Sequence, residues 1–259
     1  MSFELINADC LGPDGMPSLL ARSVDVVISD PPYSEHVHSK SRRSATKTAG
    51  RAWKSGDVKV IADLGFAPIT TDEMEAAADQ FARLARRWVL VFCDLESAHL
   101  WRGACVSTGG LEYIRTCAWE KLGGTPQFTG DRPAVWGEAI LVFHPKGRKR
   151  WNGGGKAGLY SFATALDRDH SGLDERMHTT QKPVALMEAL VRDFTDPGET
   201  ILDAFAGSGT TLLAATRLGR HSIGYEKDPV EHAKALRRLQ GEKQLPDGFI
   251  EDTQGSLAL

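Results

Sequence analysis

Residues 201–211, ILDAFAGSGTT, constrain the fold more than any other stretch of the chain. Ile201 and Leu202 close a short apolar run, Asp203 follows, then Gly207-Ser208-Gly209, and from Thr210 the composition turns helical. The order is strand, glycine turn, helix. Such a turn brings backbone close to a ligand, and the new helix presents unpaired N–H groups at its mouth. The next apolar run, residues 221–225, ends at Glu226. A carboxylate after the second strand of a βαβ unit is placed to hold a ribose diol. A nucleoside-bearing cofactor is therefore expected, although a simple packing turn has the same pattern. The third glycine of the dinucleotide fingerprint is missing, since Leu212 stands three residues after Gly209.

At 259 residues and 41% hydrophobic content, the chain can bury one substantial core. Its net charge of −3 excludes a uniformly basic nucleic-acid binder, so any such contact must come from local patches. The four cysteines, Cys10, Cys93, Cys105 and Cys117, form no CxxC pair and read as reduced thiols. The opening MSFELINADC lacks a basic segment followed by an apolar one, so no signal peptide is expected. No apolar run approaches the ~18 residues of a membrane span. These features point to a soluble, cytoplasmic protein with no membrane partner.

Along the chain, residues 24–29 (VDVVIS) and 88–93 (WVLVFC) read as buried strands, and residues 71–87 as a helix capped by Thr70 and Glu73. Residues 97–107 form a further helix. Runs at 113–120 and 134–143, separated by Gly123-Gly124-Thr125-Pro126, suggest an antiparallel pair. Pro183 opens another helix, and residues 229–239 close the pattern. Buried runs alternating with helices predict a doubly wound, mostly parallel α/β sheet, with an antiparallel hairpin at one edge. Two stretches break this order. Residues 34–56 are nearly devoid of apolar side chains and carry Lys40, Arg42, Arg43, Lys47, Arg51 and Lys54. Residues 144–178 show no periodicity and begin with Lys146, Arg148, Lys149, Arg150 and Trp151.

The strand at 24–29 stops at Asp30-Pro31-Pro32-Tyr33, because two prolines cannot continue it. Strand ends of α/β sheets are where ligands bind. This one offers a carboxylate, stiffened main-chain carbonyls and an aromatic face. A flat aromatic amine is a poor nucleophile because its lone pair is delocalised into the ring. Acceptors on its two N–H bonds draw the nitrogen towards tetrahedral geometry and free that lone pair, while the tyrosine stacks on the ring. No metal is needed, and His36 and His38, two apart, read as solvated side chains.

Together, Asp30-Pro31-Pro32-Tyr33, Thr180-Gln181-Lys182-Pro183 and the stretch at 201–211 resemble the S-adenosylmethionine-dependent amino-methyltransferases of DNA. Their order resembles the permuted β group, in which the catalytic tetrapeptide precedes the cofactor motif. Asn7-Ala8-Asp9-Cys10, Trp119-Glu120-Lys121, Glu138-Ala139-Ile140-Leu141 and the segment from Gly224 to Pro229 look like other parts of that group. Thr179, Ala204 and His232 depart from it, and none removes a group the chemistry requires.

The resemblance implies a single Rossmann-like class I methyltransferase domain over residues 1–259, with S-adenosylmethionine as cofactor and double-stranded DNA as partner. By position it makes Asp30, Pro31, Pro32 and Tyr33 catalytic. It sets Phe205, Gly207, Ser208, Gly209, Thr210 and Thr211 around the methionine part of the cofactor, with Lys182 nearby, and counts Asp30 and Asp203 among the cofactor-binding residues. Glu226 falls at the ribose, with Lys227 among the cofactor-binding residues, and Asp9 and Cys10 lie by the adenine. Residues 34–56 become a DNA-facing loop and residues 144–178 an inserted target-recognition segment, both expected at the mouth of the site. A homodimer and a restriction endonuclease partner are left open. Aspartate heading the tetrapeptide favours adenine N6, and serine there would favour cytosine N4. An RNA or protein-glutamine methyltransferase would commonly carry asparagine instead, and a binding module without catalysis would not need the tetrapeptide intact.

Overall fold

A computed structural model of the chain describes residues 2–33, 68–123, 130–131, 133–164 and 181–242. Their strands are β1 (Phe3–Ile6), β2 (Val26–Ser29), β3 (Val89–Cys93), β4 (Leu111–Leu122), β5 (Gly137–Pro145), β6 (Leu159–Ala163), β7 (Thr200–Asp203) and β8 (His221–Tyr225). The helices are α1 (Thr71–Leu84), α2 (Ala98–Ser107), α3 (Val184–Phe194), α4 (Thr210–Arg217) and α5 (Pro229–Glu242), with a 3₁₀ turn at Met16–Ser18. The strands form one sheet in the order β1-β8-β7-β2-β3-β5-β4-β6. Among the described strands, β5 alone runs against its neighbours, and every other pairing is parallel.

Successive residues of a strand face opposite sides, and the central strands are apolar on both. Val27, Val89, Val91, Leu141 and Phe143 pack against Met74, Phe81 and Leu84 of α1 and Trp101 of α2. Val26, Ile28, Leu90, Phe92 and Ile140 turn the other way, against Leu186, Leu190, Val191 and Phe194 of α3 and Ala214 of α4. Helices thus cover both faces, as the continuous hydrophobic runs predict.

Local chemistry accounts for the ends. The Thr70 hydroxyl accepts from the Glu73 N–H at 3.2 Å, and the Glu73 carboxylate accepts from the Thr70 N–H at 2.8 Å, so α1 starts with a full capping box. That helix ends at Leu84 rather than at 87, because Ala85 turns extended and bridges Val24. The antiparallel pair, β4 with β5, is present but does not form the edge. Residues 144–178, expected to be irregular, contain β6, which adds parallel to β4 and takes the edge position.

The position of the site follows from strand direction. The chain leaves β7 through α4 towards β8 on one side and leaves β2 through α1 towards β3 on the other. Between β7 and β2 the connections diverge, which opens a crevice at the carboxyl ends of these strands.

Candidate active site

Four parallel strands end at one cleft of about 570 Å³, within the range of small-molecule sites. After β1 come Asp9 and Cys10, after β2 Asp30-Pro31-Pro32-Tyr33, at and after β7 Asp203 and Phe205, and after β8 Glu226 and Lys227; all line this cleft. Lys182, just before α3, lines it too, with Gly207, Ser208, Thr210 and Thr211. Gly209 stands behind them as the N-cap of α4. The sequence-derived cofactor and catalytic residues therefore meet in one place, although their segments are far apart in the chain.

The glycine turn is held from several sides. Gly207 and Gly209 have φ of 50° and 76°, a left-handed conformation that side chains resist. Asp203 accepts from the Phe205 N–H at 3.1 Å and from the Thr211 hydroxyl. One oxygen of Glu226 accepts from the Gly207 N–H at 3.0 Å and the other from the Asp228 N–H at 2.8 Å. From beneath, the buried Arg238 of α5 donates to the Ser208 carbonyl at 3.1 Å and the Thr210 hydroxyl at 3.0 Å. Arg238 carries no motif signal; its place beside Leu239 on the buried face of α5 is what sets it apart.

Asp203 is almost fully buried, and that burial pushes its carboxyl up to about 7, against the hydrogen bonds from Thr211 and Phe205. Burial, with Asp9 alongside, pushes the Cys10 thiol up to about 12, so it is inert as a nucleophile. All four cysteines are buried and free.

The tetrapeptide Asp30 to Tyr33 carries an ionic network that its local sequence does not announce. The Lys182 ammonium lies 2.6 Å from Asp30 and 3.1 Å from Glu138, the second residue of β5. The Tyr33 hydroxyl donates to Glu138 at 2.6 Å, and Lys121 of β4 ion-pairs with the same Glu138 oxygen at 2.6 Å. The Lys182 side chain is 6% exposed and Glu138 5%, whereas Asp30 keeps 27% open to the cleft. Burial raises the Asp30 carboxyl and Lys182 opposes it. For Lys182, burial opposes the charge, but Asp30 and Glu138 outweigh it and hold the pKa well above the ordinary lysine value. For Glu138, burial is likewise outweighed by Lys182 and Lys121, and the carboxyl sits at about 2.

The basic tracts are placed differently from expectation, or lie outside the described residues. Lys40, Arg42, Arg43, Lys47, Arg51 and Lys54 fall outside, as do His36 and His38 and residues 165–178. The ends flanking residues 34–67 are joined at the cleft, where the Ile69 N–H donates to the Tyr33 carbonyl at 3.3 Å. Lys146, Arg148, Lys149, Arg150 and Trp151 are not at the mouth. Strand β5 begins beside the cleft, with Glu138 against Tyr33 and Lys182, and runs away from it, so these residues emerge roughly 25 Å off, at the far end of the sheet. There Lys149 pairs with Glu112 at 2.8 Å, Arg150 with Asp196 at 3.1 Å, and Trp151 packs edge-on against Phe194.

Among the described residues, no cluster of three or more His, Cys, Asp or Glu side chains could hold a metal ion, and no helix is long and apolar enough to cross a membrane.

Comparison with known proteins gives a consistent result. A family model described as DNA methylase, covering the N6 and N4 enzymes, matches residues 24–237. The type II methyltransferase M.HindIII of Haemophilus influenzae is 50% identical over 70 residues, which are 27% of this chain and 23% of that protein. The match therefore spans about a quarter of that relative's length. The M1.HpyAVI–SAM complex superposes with a TM-score of 0.65 at 23% identity, over 92% of this chain and 99% of the other. The TTHA0409 protein of Thermus thermophilus complexed with S-adenosyl-L-methionine gives 0.63 at 20% identity, over 93% and 94%. The PvuII DNA methyltransferase, described as cytosine-N4-specific, gives 0.69 at 14% identity, over 96% and 88%. These structures share the class I methyltransferase fold.

Proposed function

The chain belongs to the N6/N4 DNA methylase family, and from that premise we propose that it transfers a methyl group from S-adenosylmethionine to the exocyclic N6 of adenine in DNA. The observation that carries this reading is the shared cleft. Asp30, with part of its carboxylate open, and Glu226, aimed by two backbone N–H groups, face one space across the glycine turn.

The residues fit the cofactor. Glu226 is fixed by the Gly207 and Asp228 N–H groups and is suited to the ribose hydroxyls, with Lys227 beside it. The turn from Gly207 to Thr211, with Asp203, Phe205 and Lys182, is suited to the methionine part, and Asp9 and Cys10 to the adenine. When bound, the cofactor supplies an electrophilic methyl carbon. The rest of the work falls to the protein. Asp30 and the Pro31 carbonyl accept the N–H bonds of the target amine, and Asp30 can take up the proton it releases. Tyr33 stacks on the extruded base, whose removal from the duplex costs roughly a few kcal/mol.

The tetrapeptide preceding the cofactor motif supports the permuted β-group order, and aspartate at its head supports adenine over cytosine N4. The DNA-facing role of residues 34–56 is supported by composition and by the pinning of Tyr33 to Ile69 at the cleft. For the recognition segment, the far-end placement of Lys146 to Trp151 shifts the assignment to the stretch between Thr164 and Gln181. Thr164 donates to Leu122 at the cleft end of β4, and Gln181 lines the cleft. A second copy of the chain and a restriction endonuclease as partners rest on the resemblance alone.

Asp30→Ala tests the reading. Methyl transfer to DNA should vanish while calorimetric binding of the cofactor persists. Near-normal turnover would reduce the tetrapeptide to a strand stop.

A further inference from the structure

Three segments converge on Glu138. Tyr33 and Lys121 both reach Oε1 at 2.6 Å, and Lys182 reaches Oε2 at 3.1 Å while also holding Asp30 at 2.6 Å. We propose that Glu138 is a positioning residue that draws the Lys182 ammonium off Asp30 and fixes Tyr33, leaving the Asp30 carboxylate free to accept the target amine. The proposal rests on the methyl-transfer reading above.

A carboxylate in a tight ion pair is a weak acceptor, because the ammonium already holds its electron density. An amine arriving at Asp30 must therefore compete with Lys182. That competition would be lost if Lys182 had nowhere else to go, since a buried ammonium without a counter-charge is strongly disfavoured. Glu138 is that second place. Two carboxylates, Asp30 and Glu138, balance two ammonium groups, Lys121 and Lys182, so a change of partner leaves the net charge of the cluster unaltered. Aromatic faces line the path. Lys182 lies 5.2 Å from the ring centre of Phe92, 5.8 Å from that of Tyr33 and 5.9 Å from that of Trp119, distances at which rings favour a cation. The Tyr33–Glu138 bond adds a second effect, because it orients the ring assigned to the base.

The groups acting on Asp30 set the sign of the test. Lys182 and Lys121 favour its charge, and Glu138 opposes it. Tyr33 stands beside it in the network, Asp203 faces it from β7 and Cys93 from β3. Removing Glu138's charge leaves Lys182 entirely to Asp30, which becomes less basic. Removing Lys121 does the opposite, since Glu138 then pulls harder on Lys182 and a cation near Asp30 is gone.

The experiment measures kcat against pH for methyl transfer to DNA, with cofactor binding followed by calorimetry, in wild type, Glu138→Gln and Lys121→Met. In Glu138→Gln the plateau kcat should fall about tenfold or more. Its acid limb should move down by about one pH unit, with cofactor affinity and KM for DNA unchanged. In Lys121→Met the limb should move up, and Glu138→Asp should recover part of the lost rate. A merely structural ion pair would lower stability without moving the limb in opposite directions. An unmoved limb in both variants, or the same direction in both, overturns the proposal. Should Glu138→Gln not fold, the direction of the limb in Lys121→Met decides. A wild type that binds cofactor but methylates no DNA overturns the functional reading and this proposal with it. Normal wild-type turnover with an unaffected Glu138→Gln overturns this proposal alone.

Discussion

Replacing Asp203 by asparagine should stabilise the ligand-free protein, and by an amount that depends on pH. The carboxylate ends β7 beneath the glycine turn, 2% exposed, and accepts from the Phe205 N–H and the Thr211 hydroxyl. The other charges acting on it, Asp30 and Glu226, are also negative. Burial, opposed by the two hydrogen bonds, lifts its pKa from 3.8 to about 7. The folded protein therefore holds a proton that the unfolded chain gives up, so stability falls as pH rises from about 4 to about 7 and this contribution levels off above that. Three pH units at about 1.36 kcal/mol each set an upper bound of about 4 kcal/mol. Asparagine keeps the shape and the acceptor for Phe205, and its amide can donate to the Thr211 hydroxyl. Urea unfolding at pH 8 should show the variant more stable than wild type by about 2–4 kcal/mol, with the gap shrinking below about 1 kcal/mol at pH 4.5. Glu138, which is not among the charges acting on Asp203, contributes alike to both proteins and cancels in the comparison, while relief of the repulsion from Asp30 adds to the stabilisation above pH 7. A variant no more stable than wild type at pH 8 would mean that burial does not raise the Asp203 carboxyl. The same substitution should weaken cofactor binding in calorimetry, because a buried charge this costly is retained for what it faces.

Glu226→Ala removes the acceptor of the Gly207 and Asp228 N–H groups; cofactor binding should weaken by about 1–3 kcal/mol, and unchanged affinity in calorimetry would remove Glu226 from the cofactor site. Gly209→Ala forces a side chain into φ 76° with the Leu239 methyl 3.3 Å from the new carbon, and should lower stability by about 1–2 kcal/mol. An unshifted denaturant midpoint would mean that the turn adapts freely.

What the sequence discloses is what is local. Residues 201–211 hold strand, turn and helix within eleven neighbours, and their chemistry needs no partner from elsewhere to be read. The capping box at Thr70 and Glu73 is legible for the same reason, as are the fully buried runs of β2 and β3. Strand β6 is not, because only Tyr160 of its five residues is buried and an edge strand one residue deep leaves no alternation to detect. The ionic network is hidden in a different way. Glu138 reads as the polar head of a buried strand, and its partners Tyr33 and Lys182 arrive from separate elements that only the folded sheet brings together. The resemblance sets Lys146 to Trp151 at the mouth of the site, whereas the folded chain carries them to the far end of the sheet, because antiparallel β5 reverses the direction of travel. The resemblance assigns Lys182 to the cofactor side of the site; in the structure its closest charge is Asp30.

Chemical identification of the methylated nucleoside tests adenine N6 methylation directly. The protein is incubated with S-adenosylmethionine labelled in its methyl group and with unmethylated duplex DNA, the DNA is digested to nucleosides, and the label is located by mass spectrometry. N6-methyldeoxyadenosine is the expected product. Label in N4-methyldeoxycytidine would contradict the assignment read from Asp30, and DNA left unlabelled by a protein that binds the cofactor would contradict methyl transfer to DNA itself.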